Sequence, residues 1–289
     1  MTKAWSKIVS HAMMLRWDRV KVADDEVPLP VVIDEIWQPD RAHLQNFLEI
    51  CPGWRHPEIL PPTYPQVALA GTHLALLAHR CFPYNPMGIV HVSNRIDVLR
   101  PLRVDDGPFD VRVSLENWQP QRRGRLFDIS TRVFQDTRLV WESVATALVM
   151  KQKKTSNTSR SSSPIPSANL NPKPGDAISV PEDLGRRYAR IAGDYNPIHQ
   201  RAWMAKPFGF NRAIIHGMWT FAWAVHEPAS RSEPGPMQMM GYFKRPVALP
   251  SEIWREIKEG SDSSKDITIY SQPSPKACLE ISLCLASPS

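Results

Sequence analysis

The run Met218-Trp-Thr-Phe-Ala-Trp-Ala-Val225 leaves no polar face beyond Thr220. A helix that is apolar all the way round has to be buried on every side, so a fold that accepts this segment must wrap around it. The helix starts at His216-Gly217, and a glycine there lets another group approach the backbone closely. The first N–H groups of a helix have no partner inside it, and the dipole is positive at that end. Buried, such an end is suited to hold a developing oxyanion.

Just upstream lies Tyr188-Ala-Arg-Ile-Ala-Gly-Asp-Tyr-Asn-Pro-Ile-His199. A helical pattern runs from about Glu182 to Ile191 and ends before Pro197, which has no N–H and biases Asn196 away from helical geometry. A compact polar loop follows, carrying Asp194, Asn196 and His199. A carboxylate and an imidazole on one loop can hold a water molecule and move protons to and from it. Loop capping and hydrogen bonding are the alternative for the same residues.

Together, Gly193-Asp-Tyr-Asn-Pro-Ile-His199 and Ile215-His-Gly-Met218 resemble the hydratase-2 motif of the MaoC-like acyl dehydratases, the (R)-specific enoyl-CoA hydratases. The close match covers roughly residues 180–250. The resemblance implies an α+β hot-dog fold, a curved antiparallel sheet around one long buried helix. It further implies two such units fused as a pseudo-dimer. The expected division is a degenerate unit over 1–150, a flexible linker over 151–173 and a motif-bearing unit over 174–289.

The implied reaction is hydration of a trans-2-enoyl-CoA to the (R)-3-hydroxyacyl-CoA, or its reverse. In that scheme Asp194 and His199 are catalytic, the Gly217 N–H stabilises the thioester oxyanion, and Asn196 fixes the loop and the water. No metal or redox cofactor is required, and coenzyme A enters as part of the substrate, with an acyl-carrier thioester as the other form. Lys244 and Arg245 are candidates for the CoA phosphates, with an ordinary solvated pair as the alternative, and the same holds for Arg186 and Arg187. Gly217 also reads as a helix start packed tightly against a strand, His216 as a core histidine bonded to backbone, and Trp219 and Trp223 as core. Two other function classes stay open: a non-catalytic acyl-thioester-binding protein of this fold and an acyl-thioester hydrolase.

The net charge of +6 favours anionic partners in a general way, whether nucleic acid, a phosphorylated cofactor such as coenzyme A, or nothing in particular. No nucleic-acid motif accompanies it. Cys51, Cys81, Cys278 and Cys284 are scattered without a C-x-x-C pair or a cysteine–histidine cluster, which points away from zinc and toward a reducing, cytoplasmic setting. The first seventeen residues make a poor signal peptide, and no stretch is long enough to span a membrane. A homodimer is one option and a monomer the other, since the pseudo-dimer already satisfies the usual pairing of two units.

The remaining chain reads as two similar halves. The first has a strand over 31–37, a helix from Asp40 to about Ile50, an apolar helix over 67–78 and strands near 90–99, 109–116, 124–134 and 139–150. Lys151 to about Lys173 is rich in Lys, Ser, Asn and Pro and reads as a linker. The second half has strands near 177–180, 238–244, 252–258, 265–271 and 277–285. Local matches set Gly53 and Pro57 against Gly193 and Pro197, Gly71 against Gly217, and Arg95–Leu99 against Arg245–Leu249. Trp54, His56 and Ile59 then stand at Asp194, Asn196 and His199; a tryptophan and an isoleucine cannot transfer protons, so on this match only the second half keeps the chemistry.

Overall fold

The structure is a computed structural model that describes residues 27–28, 30–86, 89–122, 124–150, 177–260 and 263–285. The expected linker and the N-terminal stretch lie outside the described residues. In chain order the elements are β1 (Val32–Trp37), α1 (Arg41–Ile50), α2 (Tyr64–Ala68), α3 (Ala70–Ala78), β2 (Val90–Val98), β3 (Phe109–Gln121), β4 (Gly124–Gln135) and β5 (Arg138–Met150). Then come β6 (Ala177–Val180), α4 (Leu184–Ala192), α5 (Ala202–Ala205), α6 (Gly217–Ala229), β7 (Met237–Phe243), β8 (Ser251–Glu259), β9 (Ser264–Ser271) and β10 (Ser274–Leu285).

The strands form one antiparallel ten-stranded sheet in the order β1-β3-β4-β5-β2-β7-β10-β9-β8-β6. Outward from the centre, β2-β5-β4-β3-β1 is matched strand for strand by β7-β10-β9-β8-β6. The two halves are therefore the same fold, joined where β2 pairs with β7 over Ser93–Val98 and Met237–Tyr242. Alternation along the strands sets the inner face. In β7, Met237, Met239 and Gly241 are buried while Gln238 and Tyr242 are exposed, as a period of two requires.

Helix α6 lies against β9 and β10 of that inner face. Trp219, Thr220, Phe221, Ala222, Trp223, Ala224, Val225 and His226 are all buried, which meets the requirement its composition sets. The first half covers the other side. Trp219 Nε1 donates to the Ile50 carbonyl at 2.8 Å, His226 bonds Thr63 Oγ1 at 2.7 Å, and Ser230 Oγ donates to the Gly53 carbonyl at 3.0 Å. Each contact satisfies a polar group that burial would otherwise leave costly.

The first half departs from its expected pattern at one helix. The single helix over 67–78 is two, α2 and α3, broken at Leu69, whose φ of −93° and ψ of 8° fall outside the helical well. The bonding restarts there, with Leu69 N–H reaching Pro65 and Thr72 N–H returning to Leu69.

The internal match is also registered differently from the local sequence comparison. Ile59 bridges Arg103 as Ile214 bridges Ala248. Leu60 N–H donates to Leu102 as Ile215 N–H does to Val247, and Tyr64 N–H to Pro61 as Trp219 N–H to His216. After the strands, Leu99 and Arg100 both donate to Val140 as Lys244 and Arg245 both donate to Cys278. The counterpart of Arg245 is thus Arg100, not Arg95, and that of Gly217 is Pro62, not Gly71. Ile59 corresponds to Ile214 instead of His199, because the run from Gly53 to Ile59 is far shorter than that from Gly193 to Ile214. The first half lacks the His199 turn altogether, and at its helix start it has a proline, which carries no N–H.

Phe221, fully buried on α6, should be among the costliest truncations. Phe221→Ala is expected to lower the unfolding free energy by about 3–5 kcal/mol, measured by denaturant unfolding at neutral pH.

Candidate active site

The motif loop is set by what ends α4. Gly193 has φ of 67° and ψ of 1°, a left-handed C-cap that glycine adopts without steric cost. The chain leaves the helix there and Asp194 Oδ1 accepts the Asn196 N–H at 3.1 Å. Asn196 caps the short 3₁₀ turn Pro197–His199, its side-chain oxygen accepting the Ile198 N–H at 3.4 Å. Asn196 therefore builds the loop, as its sequence role as a loop-fixing residue anticipates. Arg186 Nη1 donates to the Gln200 carbonyl at 3.0 Å, tying the far end of the turn back to α4.

One contact that the sequence does not announce holds the turn close. A Cβ on Gly185 would lie 2.2 Å from the His199 carbonyl oxygen, so α4 presses on the turn where only a glycine fits.

Three side chains converge. His199 Nδ1 lies 2.8 Å from the Ile214 carbonyl. A carbonyl only accepts, so Nδ1 carries the proton and neutral His199 keeps a lone pair on Nε2. That nitrogen is 3.8 Å from Asp194 Oδ2. His216 stacks on His199 with ring centroids 3.7 Å apart at 25°. Its Nε2–H donates to the Asp194 backbone carbonyl at 3.0 Å and stands 3.8 Å from Oδ2. The expectation of a core histidine bonded to backbone is met, and the same bond brings His216 into the cluster. Its Nδ1 and the Tyr188 hydroxyl, both buried, have no hydrogen-bond partner.

Burial lowers His199 below the usual imidazole range, against the opposing pull of Asp194 and the Ile214 bond. Burial likewise takes His216 down to about 3, with His199 adding to it. For Asp194 burial is the largest influence and pushes upward, but His216, His199 and the Asn196 N–H outweigh it and hold the carboxyl below its usual value. The Asp194 side chain keeps 44% of its surface in reach of solvent, so the carboxylate sits in a recess and not in a sealed core. Near neutral pH the group is one carboxylate and two neutral imidazoles.

Gly217 begins α6 beside this cluster. No side chain caps the helix, and the first intrahelical bonds come from Trp219 and Thr220 to His216, which leaves the Gly217 N–H outside the ladder. A Cβ on Gly217 would lie 2.8 Å from the Phe243 ring. The tight helix start and the available N–H are therefore features of one residue. Trp219 and Trp223 are core, stacked on each other at 6.4 Å. Lys244 and Arg245 are exposed past the end of β7, Lys244 paired with Glu280 at 2.9 Å and Arg245 bonded to the Ala277 carbonyl at 3.4 Å.

Among the described residues, Asp194, His199 and His216 also form the group whose ligand atoms, within 4.8 Å of one another, could hold a metal ion. To ligate there through Nε2, His216 would have to give up its proton and its bond to the Asp194 carbonyl.

Residues 162–266 match the family described as MaoC like domain. The 3-hydroxyacyl-thioester dehydratase X of Mycobacterium tuberculosis is 33% identical over 248 residues, 85% of this chain and 85% of that protein. This chain belongs to the MaoC-like double hot-dog dehydratases. The crystal structure of HtdX from Mycobacterium tuberculosis superposes with a TM-score of 0.75 at 29% identity, covering 89% of this chain and 99% of that one. A further Mycobacterium tuberculosis protein with a double hotdog fold, at 13% identity and a TM-score of 0.53 over 91% of this chain and 97% of that one, shares the fold alone. Within the family's fold, the motif recognised at Gly193–His199 and Ile215–Met218 is the stretch that builds the three-residue cluster. Among the described residues no helix is long and apolar enough to cross a membrane.

Two measurements probe the site directly. Gly185→Ala should cost about 1–3 kcal/mol of stability through overpacking and displace the His199 turn, read as a changed His199 imidazole NMR signal. Acid should also destabilise the protein. His73, His216 and His226 are buried, with values pushed down by burial to about 4, 3 and 4. Unfolded, each takes up a proton below about pH 6.5; folded, it does not until far lower. Stability is thus complete above about pH 6.5 and falls as pH drops toward 4, by on the order of 1–3 kcal/mol per histidine. A melting temperature that is flat from pH 7 to 4 would contradict this assignment.

Proposed function

We propose that the protein hydrates a trans-2-enoyl thioester to the (R)-3-hydroxyacyl thioester, and runs the reverse dehydration, with Asp194 and His199 as its catalytic residues. The observation that carries this reading is the Nε2 lone pair of His199, 3.8 Å from Asp194 Oδ2. That gap is too long for a direct hydrogen bond, yet it lets both acceptors take a hydrogen from one and the same water. A water held so presents its own lone pair to C3 of the substrate.

Attack forms the C3–O bond and sends the C2=C3 electron pair to the thioester oxygen. The Gly217 N–H at the positive end of α6 receives that charge. The proton leaves the water for the Asp194–His199 pair and returns from it to C2 as the enolate collapses. Addition from one face of the double bond gives one configuration at C3. His216 keeps the Asp194 backbone in place through its Nε2–H, and its stacking limits the His199 ring to one orientation. Asn196 holds the loop, and no other group is needed to balance the step.

On this reading the chain divides into a first unit over 1–150, a linker over 151–173 and the motif-bearing unit over 174–289. The first unit has neither the His199 turn nor an N–H at Pro62, so its contribution is to the walls of the acyl pocket. Coenzyme A is the natural carrier, with Arg245 the better placed phosphate contact because Lys244 is engaged by Glu280. Free cysteines throughout the described residues support a reducing, cytoplasmic setting.

The test follows loss of enoyl-thioester absorbance with crotonyl-CoA and longer trans-2-enoyl-CoAs. Wild type is expected to hydrate them, and Asp194→Asn and His199→Ala to fall by about 10²–10⁴-fold while staying folded, His199→Ala with a lowered melting temperature because it loses the Ile214 bond and the stack on His216. Undiminished turnover in the Asp194 variant would remove it from the mechanism.

A further inference from the structure

The central helix of the first half is not covered as that of the second is. Ala70-Gly-Thr-His-Leu-Ala-Leu-Leu-Ala78 is apolar on most sides, yet only Thr72, His73 and Leu76 of α3 are buried. The polar His73 turns inward, its Nε2 bonded to Thr131 Oγ1 at 2.9 Å. Ala68, Gly71 and Ala75 follow one another at helical spacing and are all half-buried. A helix of this composition is expected to be buried on every side, so that face lacks a cover.

The same three residues form one wall of a groove of about 500 Å³, and Ile33, Ile36 and Trp37 of β1 form the other. Ile36 at the rim is 73% exposed. β1 ends the sheet on this side, so no further strand among the described residues shields the rim. Glu35 stands in the wall and accepts a hydrogen bond from the Thr72 hydroxyl.

The chain contains a segment of matching character. Trp5, Ile8, Val9, Ala12 and Met13 recur at the spacing of one helix face, and Lys7, Ser10 and His11 fall on the other. Residues 1–17 include Lys3, Lys7 and Arg16 and no acidic residue, the sign that suits a wall holding Glu35. A helix of residues 4–17 would be about 21 Å long, and β1 is about 20 Å long. Residues 18–31, which connect the two, reach up to roughly 46 Å when extended, enough to bring the segment back along the strand it precedes.

We propose that the groove between β1 and the Ala68–Ala75 face is the docking site of this chain's own residues 4–17, with Trp5, Ile8, Val9 and Ala12 turned into it. The small side chains of one wall let an incoming helix come close, and its apolar face then covers Ile36. The connection through residues 18–31 makes the encounter intramolecular, which favours the chain's own segment over that of a second copy. The inference is independent of the reaction the protein catalyses.

The test puts a photoreactive residue at the rim of the full chain, as Ile36→p-benzoylphenylalanine. Irradiation followed by peptide mass spectrometry is expected to join position 36 to a peptide within residues 4–17. Ile8→Asp, which would carry a charge into the groove, should cut that yield by roughly tenfold. Ser10→Asp, the same charge on the opposite face, should leave it unchanged. An equal mixture of heavy-isotope-labelled and unlabelled chains separates the occupants. Joined peptides that share one label support the proposal, and mixed-label pairs assign the groove to a second copy and overturn it. A cross-link that omits residues 4–17, or none at all, overturns it too, as does a loss of yield that Ser10→Asp reproduces.

Discussion

The hydrogen bond from His199 Nδ1–H to the Ile214 carbonyl is the constraint on which the geometry of the motif loop depends. It settles the tautomer, and the tautomer places the lone pair on Nε2, toward Asp194. It also links the 3₁₀ turn to the residue that precedes α6 by three positions, so the loop and the helix start cannot move independently. Ile214 is held in turn by its bridge to Ala248. The cluster is thereby fastened at both ends to parts of the fold with little freedom. Ties of this kind fix the positions of the three side chains in advance of any ligand.

Around that bond the two halves have divergent duties on a common plan. Their strand orders correspond one for one, and the backbone bonds at the helix entrance repeat from Ile59-Leu60 to Ile214-Ile215. What differs is the connection before that entrance and the residue that starts the helix. A long connection allows the His199 turn; a short one does not. Glycine at the helix start supplies an N–H, and proline cannot. The first half instead supplies polar partners for α6 through Ile50, Cys51, Gly53 and Thr63, which lets a helix sit at the centre with its buried His226 and Trp219 side chains hydrogen-bonded.

Much of this was legible in the residues. The apolar run from Met218 to Val225 demands burial whatever surrounds it, and α6 is buried. The order Gly-Asp-Tyr-Asn-Pro-Ile-His encodes its own loop, because a left-handed glycine, an Asx cap and a proline are local devices that work within a few residues. Strand alternation follows from periodicity, and the two-half plan from the repeated order of the elements. The Asp194, His199 and Gly217 set comes with the motif.

Tertiary structure alone decided the rest, and for one reason: those features depend on pairs of residues far apart in the chain. Gly185 gave no sign that α4 would press on the His199 carbonyl. His216 looked like a core histidine and is one, but only packing shows that it stacks on His199 and bonds the Asp194 backbone. The pairing of the halves was likewise misjudged at Arg95, Gly71 and Ile59, since a short-range match of residue types cannot see which backbone groups bond. Sequence by itself determined the motif, its loop and the need for a buried helix. Long-range registry determined the tautomer and the closeness of the three side chains.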